Sequence, residues 1–139
     1  MGICAFCEIV SKDRDAHIVF ESEECMAFLD ARPLFHGHCL VVPKEHVVTV
    51  MEATDKLLCS LSSASKKLSV AVKEATESDG VLIINNNIVS QSVPHLHIHV
   101  IPRKRGDGLK GFMWPGHPYA DEEEARKTAE KIKAALKKE

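Results

Sequence analysis

The amino-acid sequence predicts an α+β fold: a five-stranded antiparallel, meander-like sheet with one long crossing helix and a second helix toward the C-terminus. Three observations carry this. Short apolar and β-branched runs recur between turn-forming residues, an interior segment carries apolar residues at three- and four-residue spacing, and the last segment sorts its charges, acidic first and basic last.

Residues 17–21 and 25–30 read as strands joined by the hairpin-length Ser22-Glu23-Glu24. Arg32-Pro33-Leu34-Phe35-His36-Gly37 then leads as a longer turn into a third strand at 37–42. Beyond Thr54 or Asp55, each suited to cap a helix, Leu57, Leu58, Leu61, Ala64, Leu68, Ala71, Val72 and Ala75 mark the apolar face of a helix that crosses the sheet. Residues 81–86 and 93–102 supply the fourth and fifth strands. A helix at 121–136 has Asp121, Glu122, Glu123 and Glu124 at its N-terminal end and Lys133, Lys137 and Lys138 near its C-terminal end, which complements the helix dipole and suits a solvated surface helix.

At 139 residues the chain can bury a core without disulfide staples, and we read 1–139 as one domain, with its motifs in 1–105 and a tail and helix in 106–139. The net charge of -2, with Lys and Arg spread along the chain, excludes a general attraction to nucleic acid or membrane. Any anion must be bound locally. No basic-then-apolar leader opens the sequence and no apolar run approaches the roughly 20 residues of a membrane span, so the expectation is a soluble, cytoplasmic protein, with nuclear access open to it in a eukaryote. Five cysteines, an odd number, point to reduced thiols or metal ligation, with Cys25, Cys39 and Cys59 in apolar, core-like contexts.

The segment Val93-Pro94-His95-Leu96-His97-Ile98-His99-Val100-Ile101-Pro102 carries the strongest chemical signal. On an extended strand, alternation puts His95, His97 and His99 on one face and Leu96, Ile98 and Val100 on the other. Imidazole can act as nucleophile, proton carrier or metal ligand near neutral pH. A solvated strand face is the alternative, and it gives no reason for three histidines in succession. Near the N-terminus, Cys4-Ala5-Phe6-Cys7, with His46 and His95, offers two thiolates and two imidazoles, the preferred shell of tetrahedral Zn²⁺. Zinc is favoured over a redox pair, which would call for a neighbouring βαβ unit, and over unliganded thiols.

Cys4-Ala5-Phe6-Cys7, Met26-Ala27-Phe28-Leu29-Asp30, Gly37-His38-Cys39-Leu40-Val41-Val42-Pro43 with His46, and Gln91-Ser92-Val93-Pro94-His95-Leu96-His97-Ile98-His99-Val100 together resemble the histidine triad family over about residues 1–105. The resemblance implies a nucleotidyl hydrolase or transferase acting at the α-phosphate of phosphoramidates, dinucleoside polyphosphates or nucleotidyl-sulfates, with an AMP-containing purine nucleotide as substrate. It makes His97 the nucleophile, with a main-chain carbonyl of the triad strand fixing its tautomer, and a nucleotidyl-histidine the intermediate. His99 would donate to a nonbridging phosphate oxygen, and His38 would orient the hydrogen-bond network. Ser92 would bind phosphate or pass a proton to the leaving amine, beside Gln91, with turn chemistry as the competing role. Phe28 and Leu29 would line the nucleotide pocket, Asp30 would accept the ribose hydroxyls, and Asn85 and Asn87 would serve as phosphate- and ribose-side polar groups or as turn residues. By the same resemblance His95 completes a structural zinc site with Cys4, Cys7 and His46, four protein ligands leaving no open position for water.

The resemblance also implies a homodimer whose sheets join. A departure, in the short 87–91 loop, bears on the leaving group, and a tail segment bears on substrate choice. Ser90 stands where relatives usually have glycine, and Gly111-Phe112-Met113-Trp114-Pro115-Gly116-His117-Pro118-Tyr119 forms a tail of the kind that reaches the active site in relatives, unless Trp114 simply packs. Two other classes compete with the nucleotidyl-histidine enzyme: a zinc hydrolase with the triad around a catalytic metal, and a nucleotide-binding or scaffold protein with little turnover.

Overall fold

Alternating side chains along two adjacent strands divide the core into two layers. In the computed structural model, which describes residues 4–109 and 116–137, these strands are β2 (Cys25–Leu29) and β3 (Cys39–Pro43). Cys25, Ala27, Cys39 and Val41 point to one face and Met26, Phe28, Leu40 and Val42 to the other. Both sets are almost fully buried, so each face must be covered.

The covers are two helices of different length. α1 (Ala5–Val10) sets Phe6 and Ile9 against the even-numbered residues. α2 (Asp55–Ala75) sets Leu57, Leu61, Ala64, Leu68 and Val72 against the odd-numbered ones. The Thr54 side chain accepts the Leu57 N–H at 3.2 Å and caps α2 as its sequence predicts. The sequence patterns did not predict α1, whose N-cap is Cys4, with the Cys4 sulfur accepting the Cys7 N–H at 3.4 Å.

Adding β1 (Ile18–Glu21), β4 (Gly80–Ile84) and β5 (Ile98–Arg103) gives one five-stranded sheet in the order β1-β2-β3-β5-β4 with every pair antiparallel. The first three strands form the expected meander, and α2 carries the chain to the far edge before β5 fills the gap beside β3. Gly37, at φ +100°, makes the turn into β3, where a Cβ would come within 2.6 Å of the Thr76 methyl.

The triad strand begins later than its alternation suggests. Pairing with β3 runs Cys39 to Val100, Leu40 to His99 and Val41 to Ile98, and then stops. Upstream of Ile98 the chain peels away, the Leu96 N–H turning to the Val47 carbonyl at 2.7 Å. Pro94 has no N–H to extend a ladder there. The side-chain alternation nevertheless survives: Leu96 and Val100 are buried in the α2 layer, with Ile98 packed on it.

The chain divides into two compact units, Met1–Asp107 and Gly108–Glu139. In the second, α3 (Glu122–Leu136) begins with Asp121 accepting the Glu124 N–H at 2.8 Å, and none of the helix is buried. Trp114, singled out in the tail, lies outside the described residues. Among those described, no helix is long and apolar enough to cross a membrane.

Candidate active site and metal centre

His97 and His99 lie on the α1 side of the sheet with ring centroids 5.0 Å apart, and the Phe6 ring packs edge-on against His97 at 5.1 Å. His97 is buried, and its Nδ1 lies 2.7 Å from the His95 carbonyl of the segment that leads into β5. Only an N–H can face a carbonyl at that distance. The proton of the neutral ring is therefore on Nδ1, and the lone pair is on Nε2.

The neighbouring histidines form a second directed chain. The Leu34 N–H donates to His38 Nδ1 at 3.0 Å, so the His38 proton sits on Nε2 and donates to His99 Nδ1 at 2.9 Å. His99 then carries its proton on Nε2. Asp30 Oδ2 lies 3.5 Å from His38 Nε2, and Asp30 Oδ1 accepts the Arg32 N–H at 2.9 Å. Asp30, His38 and His99 also bring ligand-type atoms within 4.8 Å of one another, but the Leu34 donor occupies the wrong nitrogen for His38 to bind a cation through Nε2.

Burial, reinforced by His97 and His38, pushes His99 down to about 4, and burial lowers His38 as well, opposed by Asp30. An unfolded chain takes up these protons near pH 6.5, whereas the folded chain refuses them until lower pH. Stability contributed by the neutral rings is thus complete above about pH 6.5 and falls as the pH drops toward 4. Urea midpoints should decline across that window, and His99→Gln should flatten the decline; a slope that His99→Gln leaves unmoved would contradict the assignment.

Beside these rings opens a cavity of about 730 Å³. Ser92, His97, His99 and Asp30 line it, with Phe6, Phe28 and Leu29 as an apolar wall. Phe6 meets Phe28 edge-on at 5.4 Å, so α1 supplies part of that wall. Phe6 escaped the sequence reading because six residues of helix are too few to show a period. Arg14, Asp15, His17 and Arg32, also unanticipated, line the cavity from loops.

Asn85, Asn87 and Gln91 are engaged elsewhere. Asn85 donates to the His97 carbonyl at 2.9 Å, Asn87 donates to Asn85 at 2.6 Å, and the Val50 N–H donates to Asn87 at 2.7 Å. Gln91 accepts the Ile88 N–H at 2.9 Å and donates to the Val48 carbonyl at 2.6 Å. These amides hold a strained loop in which Ile88 and Ser90 have φ of 73° and 62°, the left-handed region that favours glycine. Ser90 thus adopts a backbone conformation that favours glycine.

Cys4, Cys7, His46 and His95 converge with all ligand atoms within 4.8 Å. The Cys4 sulfur is 3.3 Å and the Cys7 sulfur 3.5 Å from His95 Nδ1, Cys7 is 3.2 Å from His46 Nδ1, and the two Nδ1 atoms are 3.2 Å apart. A tetrahedral zinc shell, from its bond lengths, sets S···N at about 3.5 Å and N···N at about 3.3 Å. His95 Nε2 donates to the Pro43 carbonyl at 2.8 Å, which turns the Nδ1 lone pair to the cluster. Burial and the adjoining Cys4 push the Cys7 thiol up to about 11, a bias that a bound cation reverses. The donor set and spacing fit a tetrahedral metal.

A family model described as the HIT domain matches residues 11–106. The chain belongs to the HIT family. The adenosine 5'-monophosphoramidase hnt1 of Schizosaccharomyces pombe is 34% identical over 134 residues, covering 96% of this chain and 98% of its own. Among solved structures, the Streptococcus mutans protein SMU.412c superposes with a TM-score of 0.90 at 36% identity, over 98% of this chain and 87% of that one. A Zn-bound histidine triad family protein from Mycobacterium smegmatis gives 0.74 at 34% identity, over 88% of each chain.

Proposed function

We propose that this HIT protein is a nucleotidyl hydrolase or transferase that cleaves at the α-phosphate of purine nucleotide phosphoramidates or dinucleoside polyphosphates through a covalent nucleotidyl-His97. The observation that carries this reading is the His97 Nδ1 contact with the His95 carbonyl at 2.7 Å, which leaves a nucleophilic Nε2 on a nucleotide-sized cavity. The S. pombe relative's name, a monophosphoramidase, points the same way.

In this mechanism the Nε2 lone pair forms the N–P bond while the bond from phosphorus to the leaving amine or phosphate breaks. The His95 carbonyl stabilises the charge that develops at Nδ1–H. His99 Nε2–H donates to a nonbridging oxygen, and Ser92 delivers the proton that an amine leaving group needs, drawing on solvent. Asp30 retains lone pairs for the ribose hydroxyls, and Phe28 and Leu29 pack on the nucleoside. Water then attacks phosphorus, the N–P bond breaks, and the water proton leaves to solvent as the nucleoside monophosphate is released. Asn85, Asn87 and Gln91 act one step back, by holding the His97 backbone and the loop before Ser92.

Zinc is the metal we assign to Cys4, Cys7, His46 and His95, as a structural ion. When bound, it would fix the His95 ring and tie α1 to the triad segment. A homodimer through edge strand β4, where Ile83 is 51% exposed, completes the proposal; a monomer in sedimentation velocity would overturn that part. The function itself is tested by nucleoside monophosphate release from adenosine 5'-phosphoramidate and diadenosine polyphosphates. Release should occur from at least one, and no release from any favours a binding protein.

A further inference from the structure

The nucleotide reading fixes the direction in which a substrate lies, and the sheet supplies a ruler. His99 sits opposite Leu40, and Leu40 opposite Phe28, with Ile18 of β1 opposite Phe28 in turn. At about 4.8 Å per strand, Phe28 lies about 10 Å from the histidines and the β1 side about 14 Å away. With phosphorus at His97 and ribose at Asp30, the base lies over Phe28 and its outer edge reaches the segment that enters β1.

That segment is chemically specific. Ala16 packs on the Phe6, Ile9 and Phe28 cluster, and the His17 carbonyl accepts the Leu29 N–H at 3.0 Å, so the backbone is anchored. Arg14 is paired with Glu8 through Nε and Nη2, each 2.7 Å from Glu8 Oε2, so this neighbouring cation is already matched to a carboxylate. Asp15 also lines the cavity, yet its carboxylate makes no hydrogen bond or ion pair among the described residues. It is an exposed, pure acceptor on the stretch of wall that the base edge would reach.

We propose that Asp15 reads the Watson–Crick edge of the base and makes this site prefer guanine nucleotides to adenine nucleotides. The inference rests on the nucleotide reading above. Guanine presents two adjacent donors, N1–H and N2–H, that a carboxylate accepts together. Adenine presents one donor beside the N1 lone pair, which repels the second carboxylate oxygen. His17, on the same stretch of wall, can donate to guanine O6.

The test compares kcat/KM for guanosine and adenosine 5'-phosphoramidates. The wild-type chain should prefer guanosine by about tenfold, the lower range for a bidentate base contact at a solvated rim. Asp15→Asn, whose carboxamide offers one acceptor and one donor, should turn the preference toward adenosine, and Asp15→Ala should bring the ratio near one. Equal use of both bases by the wild type, or a ratio that Asp15→Asn leaves unmoved, overturns the proposal while leaving the hydrolase reading intact. If neither compound is turned over, the hydrolase reading fails instead, and dissociation constants for GMP and AMP with wild type and Asp15→Asn decide the base preference by the same criteria.

Discussion

Replacing His97 by alanine should reduce nucleoside monophosphate release by at least about 10⁴-fold while nucleotide affinity stays within about tenfold, or about 1.4 kcal/mol. The size follows from the role: of the three triad imidazoles, His97 alone has its ring lone pair free of a partner on the cavity side. His99 presents N–H because His38 occupies its Nδ1 at 2.9 Å, and His95 is turned to the sulfurs. Affinity is retained because the apolar wall, Asp30 and the His99 donor are untouched. His97 is buried against Phe6, so the variant should also melt earlier, and binding measured on the folded fraction separates that effect from chemistry. Intact-mass analysis of quenched wild-type reactions should show a nucleotidyl adduct that His97→Ala lacks. Retained turnover in the variant would remove His97 as the nucleophile.

The elements that the sequence displays best are those whose signal is local. α2 runs Asp55–Ala75, as its apolar spacing and Thr54 cap predict, and α3 starts within a residue of its acidic cluster. β4 lies slightly upstream of the run read for it, and β3 starts two residues late, since strand ends depend on which partner residues remain in register. The histidine face was legible because alternation belongs to the chain itself, even where residues 93–97 leave the ladder. What was not legible is non-local. The tautomer of His99 is decided by a Leu34 N–H acting through His38, and the lone-pair side of His95 by a Pro43 carbonyl. Asn85, Asn87 and Gln91 look like ligand-binding groups in sequence, but their partners lie at Val48, Val50 and the His97 backbone. Asp15 offered no pattern, and only the cavity gives it a role.

Cys4→Ser should lower bound zinc to well below one ion per chain and destabilise the fold by about 2–4 kcal/mol, a fall in Tm of about 7–14 °C. The cluster ties three segments together: α1 through Cys4 and Cys7, the loop after β3 through His46, and the triad segment through His95. Loss of one thiolate weakens the hold on the cation, and without that cation Cys7 is left beside two imidazoles with burial favouring its neutral thiol. α1 then loosens, and with it Phe6, which packs on His95 at 5.9 Å, on His97 at 5.1 Å and on Phe28 at 5.4 Å. The nucleotide wall should therefore suffer before the nucleophile does, raising KM more than it lowers kcat. A zinc hydrolase behaves differently: with the metal at the reacting phosphate, kcat would vanish on chelation and return with added ion. Elemental analysis, melting curves and the division between KM and kcat distinguish the two. The structural assignment requires that His97, still held by the His95 carbonyl, keeps attacking phosphorus when the sulfur shell is broken.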